Sequence, residues 1–106
     1  MTEFSVILAN RPGQLASLAR LLADASVDIE AFAAGADDGQ SHVRFVVESA
    51  PLARRALMAA SLEFSERPVL DKFLPRGTGS LAHMAERLAS SGVNIDSLYL
   101  LHSNAE

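Results

Sequence analysis

Asn10-Arg11-Pro12-Gly13 joins an apolar, strand-like run, Phe4 to Ala9, to a helix-like run that begins at Gln14. Pro12 fixes its own φ and lacks an N–H, which suits the first turn of a helix, and it biases Arg11 towards an extended backbone. Gly13 adds no Cβ. A small anion therefore has room to approach the N–H groups of Gly13, Gln14 and Leu15, which have no partner inside the helix and sit at the positive end of its dipole. A plain strand-to-helix turn uses the same residue types, so the chemistry on offer is anion binding by backbone amides.

Nothing more reactive accompanies this stretch. His42, His83 and His102 fall on a strand, a helix and a terminal strand without metal-ligand spacing, and the chain has no cysteine to act as nucleophile or thiolate ligand. Asp37 and Asp38 beside His42 read as an acidic hairpin turn rather than a metal site. We expect no enzymatic activity, no metal and no cofactor. A net charge of −4 and a pI near 5.3 leave no electrostatic footprint for nucleic acid, and Arg54-Arg55 is the only adjacent basic pair. An RNA-reading sheet is excluded as well, because Phe45 is flanked by Val43 and Val47 and not by exposed aromatics. Met1-Thr2-Glu3 opens no leader, and no run approaches the length needed to cross a bilayer, so the expected location is cytoplasmic.

The elements that position the loop follow from periodicity. Phe4, Val6 and Leu8 share one face of a first strand, with Ile7 on the other. Leu15, Leu18, Ala19 and Leu22 fall at helical spacing between Gln14 and Ala25. Val27 to Gly35 reads as a second strand and Ser41 to Glu48 as a third, joined by the turn Asp37-Asp38-Gly39-Gln40. Ser49 stands where a helix cap would, with Pro51 in the first turn and Leu52, Ala53, Ala56, Leu57 and Ala60 as the apolar face. Glu63 to Leu74 is extended and interrupted by Pro68, so one strand ends there and another begins. Pro75-Arg76-Gly77-Thr78 is a loop in which Thr78 is placed to cap a helix from Gly79 to Ser91; Gly92 stops it, and a last strand runs from Asn94 to His102.

The chain also repeats itself. In one register, without a gap, Gly13 falls on Gly79, Leu15 on Leu81, Ala16 on Ala82, Ala19 on Ala85, Leu22 on Leu88, Ala23 on Ala89, Val27 on Val93 and Ile29 on Ile95. The expected fold is α+β. Up to residue 74 the order strand, helix, strand, strand, helix, strand gives a ferredoxin-like βαββαβ unit, an antiparallel sheet with both helices on one face. A partial second repeat, βαβ, follows. Its last strand, with Leu98, Leu100 and Leu101, has no hairpin partner of its own, which leads us to expect a homodimer.

The series from Phe4 to Leu15, the helix, and Val27-Asp28-Ile29-Glu30 resemble the ACT domain, the small amino-acid-sensing module of metabolic enzymes. The resemblance implies a first ACT repeat over 1–69 and a partial second over 70–106, packed on the first or on a partner chain. It implies an amino-acid ligand at an interface between two modules, held by Asn10, Arg11, Pro12, Gly13, Gln14 and Leu15 of one loop and by Asn94 at the second-strand start of the other repeat. A weaker second site would comprise Asp28, Arg76, Gly77, Thr78 and Gly79. Leu8 stands where such sites place a polar residue, two before the loop asparagine. The implied role is a regulatory module that senses an amino acid. The alternatives are a ligand-free oligomerisation module, or a detached regulatory subunit of an amino-acid biosynthetic enzyme such as acetolactate synthase, whose small subunit the first repeat also resembles.

Overall fold

The alternation of Phe4, Val6 and Leu8 builds the centre of a four-stranded antiparallel sheet. In the computed structural model, which describes residues 1–101, β1 (Thr2–Ala9), β2 (Ile29–Asp37), β3 (Gln40–Val47) and β4 (Phe64–Pro68) lie in the order β2-β3-β1-β4. α1 (Gln14–Asp24) and α2 (Ala50–Ala59) make the two crossovers. Leu18 and Leu22 of α1 and Ala53 and Leu57 of α2 pack with Phe4, Val6, Val43, Phe45 and Val47 in one core, so both helices cover the same face. Phe4 stacks on Phe45 with ring centroids 5.5 Å apart, and Phe64 and Phe32 extend the aromatic row. On the other face Glu3 is buried and paired across the ladder with Arg67, at 3.5 Å.

Two details set the lengths of the strands. Asp38 and Gly39 both take positive φ, 53° and 73°, as the two central residues of a tight I′-type hairpin turn must, and the pair Asp37–Gln40 closes the ladder around them. The second strand therefore runs on to Asp37, beyond the Gly35 of the sequence reading. It also starts later, at Ile29, because the Val27 N–H donates to the Leu22 carbonyl at 3.0 Å and finishes the helix instead. The same exit recurs three times: Ser26, Ser61 and Gly92 sit in the left-handed region, and Val27, Leu62 and Val93 close back on Leu22, Leu57 and Leu88.

The chain divides into two compact units, Met1–Leu70 and Asp71–Glu106. In the second, α3 (Ser80–Ser90) repeats α1 in length, in its first bond (His83 N–H to Gly79 carbonyl, against Ser17 to Gly13) and in its exit. The flanking strands expected at 69–74 and from Asn94 do not form among the described residues, and His102 lies outside them. A strand exists only by pairing, and the described residues of the second unit supply no second strand for a ladder. α3 has no buried residue.

Candidate functional site

The loop after β1 is held at both ends. The Asn10 N–H donates to the Gly39 carbonyl at 2.9 Å, tying the loop to the β2–β3 hairpin, and Ser41 Oγ donates to Asn10 Oδ1 at 3.4 Å. Arg11 N–H turns back to the Ala9 carbonyl at 2.9 Å. Gln14 N–H donates to the Arg11 carbonyl at 3.2 Å, and Gly13 has φ 88° and ψ −15°, the values of the third residue of a type II turn. Pro12 is thus the second residue of a β-turn and not part of the first helical turn, which starts at Gln14. This corrects the sequence reading in a second respect, since Gln14 N–H already has a partner. The N–H groups of Gly13, Leu15 and Ala16 donate to no backbone carbonyl among the described residues, so the amides available to an anion are these three, without Gln14.

The turn needs glycine for its backbone and not for space, because a Cβ built on Gly13 would meet nothing within 4 Å. Loop residues Asn10 to Gly13 are exposed, with Gln14 half-buried and Leu15 exposed beside it. Asp28 stands apart from them. Ile29 pairs with Val47, which pairs with Thr2, whereas Ala9 pairs with Gln40; Asp28 and Asn10 therefore lie at opposite ends of the sheet.

The second unit's loop takes another path. Gly79 is right-handed, φ −102°, where Gly13 is left-handed, and Gly77 carries the positive φ, 146°, instead. Gly79 itself is the cap residue of α3 and no side chain caps it, so Thr78 does not have the capping role that its type suggests. Ser49 occupies the cap position of α2 but likewise makes no capping bond. Asn94 is exposed and follows the α3 exit directly.

Among the depressions of the first unit are two that are not legible from motifs. A shallow groove of ≈ 520 Å³ lies over Ala33, Gly35, His42 and Arg44 beside the hairpin. A smaller, mainly apolar one of ≈ 240 Å³ is lined by Leu8, Leu18, Leu21 and Leu62, with Gln14 and Ser17 of the first turn of α1. No group of three or more His, Cys, Asp or Glu among the described residues is arranged to hold a metal ion. None of their helices is long and apolar enough to cross a membrane.

No family model and no curated protein matches the chain. Solved structures do. A protein from Bacteroides thetaiotaomicron aligns at TM-score 0.87 and 23% identity, over 97% of this chain and 72% of that one. The ligand-free regulatory subunit of aspartate kinase from Thermus thermophilus aligns at TM-score 0.70 and 23% identity, over 94% and 76%. A formyltetrahydrofolate deformylase from Burkholderia mallei aligns at 0.55 and 16%, over 90% of this chain and 39% of its own. Together with the βαββαβ order and the sheet order β2-β3-β1-β4, these likenesses show that the chain has the ACT-type, ferredoxin-like fold.

Proposed function

We propose that this chain is a regulatory module that senses a small amino acid, with the ligand's carboxylate on the loop from Asn10 to Leu15. The observation that carries the reading is the type II turn at Gly13, which presents the N-terminus of α1 with the Leu15 and Ala16 N–H groups still available to an anion. The side-chain amide of Asn10 orients the ligand from beside the turn. The likeness to the regulatory subunit of aspartate kinase from Thermus thermophilus supports the same role.

The reading includes association as a homodimer, and two features support it. β2 is an edge strand with no charged residue between Glu30 and Asp37, and α3 buries none of its apolar side chains. A metabolic enzyme is the partner this reading assigns to the assembly.

A melting scan against the common amino acids tests it. A ligand at about a hundred times its Kd adds about 2.7 kcal/mol, enough to raise the Tm of a domain of this size by several degrees. Asn10→Ala should reduce the shift, and Asn94→Ala reports whether the second repeat contributes. No shift with any amino acid would leave the ligand-free oligomerisation module as the better account.

A further inference from the structure

We infer that the ligand is an aliphatic amino acid, whose side chain fills the cavity walled by Leu8, Leu18, Leu21 and Leu62. This rests on the loop reading above and names the class of ligand for that site. The cavity has a local cause. β4 pairs with β1 only as far as Phe64 opposite Val6, so beyond that point Leu8 has β3 on one side and no strand on the other. α2 has already ended at Ala59, and the chain drops through Ser61, φ 56°, to Leu62. The space of ≈ 240 Å³ left between α1 and the end of α2 is lined mainly by leucines.

The cavity and the loop share one residue. Gln14 belongs to the turn, its N–H donating to the Arg11 carbonyl, and it also lines the cavity. Ser17, three residues on, is the other polar residue of the lining. A carboxylate on the amides of Leu15 and Ala16 and a side chain against Leu8 and Leu18 thus use adjacent parts of α1. The walls offer a polar side chain no charged partner, so serine, aspartate or lysine would lose water there and gain little in return. Leu8 is the residue that sets this preference, because a polar side chain at its place would put a hydrogen-bonding group on the floor.

The experiment is titration calorimetry on the whole chain with leucine, valine, alanine and serine. Each buried methylene is worth roughly a fourfold gain in affinity, so leucine should bind roughly fiftyfold tighter than alanine, with valine between them and serine no better than alanine. Leu8→Gln should erase the preference. Because Leu8 is a core residue and its loss threatens the fold, Ala60→Phe is the second variant: Ala60 is exposed at the end of α2 and lines the cavity, and a ring there occupies it from outside. It should bring leucine down to the level of alanine. Serine or another polar amino acid binding as tightly as leucine would overturn the aliphatic assignment while the loop reading survives. So would a leucine preference that persists in Ala60→Phe. No binding by any amino acid would overturn both.

Discussion

Replacing Gly13 by alanine isolates the backbone geometry on which the loop depends. Gly13 has φ 88°, and a Cβ there would meet nothing within 4 Å, so the substitution adds conformational strain without a clash. Forcing an L-residue into the left-handed region costs about 1–2 kcal/mol. Alanine also restricts the unfolded chain, which returns about 0.4–1 kcal/mol. The net expectation is a loss of roughly 1 kcal/mol, or a Tm lower by about 4–8 °C for a domain of this size. Gly35 supplies the control within the same unit. It lies in β2 without a positive φ, and its Cβ would also meet nothing within 4 Å, so Gly35→Ala should be neutral or gain about 0.5 kcal/mol. Urea denaturation of both variants reads the difference. Equal effects at the two glycines would refute the turn geometry, and with it the placement of the amides of α1.

The helix exits give the converse prediction: Ser26 and Ser61 hold φ 59° and 56°, so Ser26→Gly and Ser61→Gly should each stabilise by roughly 1 kcal/mol in the same assay, and a loss at either would contradict the exit motif. Arg54 grips Glu66 with two hydrogen bonds of 2.8 and 2.7 Å, and these hold the carboxyl below its ordinary value of 4.5. A carboxyl lowered by folding adds stability that is fully present above its unfolded value and lost as the pH falls through that value to the folded one. Between about pH 7 and about pH 3 the wild-type urea midpoint should therefore drop further than that of Glu66→Gln; equal drops would remove the pair from the account.

Much of this architecture is legible in the residues, and the departures have identifiable causes. The alternation of Phe4, Val6 and Leu8, the Asp38-Gly39 turn and the spacing of Leu15, Leu18 and Leu22 each point to the element that forms, because local geometry and burial agree there. Val27 misleads. It is apolar and β-branched, and it precedes a strand, yet its N–H completes the α1 exit, a bond that periodicity does not encode. Pro12 misleads in the same manner, since a proline and a positive-φ glycine serve a type II turn as well as a helix start. The run from Asn94 has a strand's composition and no strand to pair with among the described residues of its unit. For the site, the sequence marks the glycine and the asparagine but not the cavity beside them. That depends on where β4 stops along β1, a fact of register between segments nearly sixty residues apart.

The most direct measurement is a backbone amide titration by NMR with a panel of amino acids. The account predicts that the N–H resonances of Gly13, Leu15 and Ala16, together with the Asn10 side-chain amide, shift progressively and saturate with one of them, and that Asn10→Ala weakens the effect. Shifts confined to the groove over Ala33, Gly35 and His42, or none at the loop with any amino acid, would contradict it.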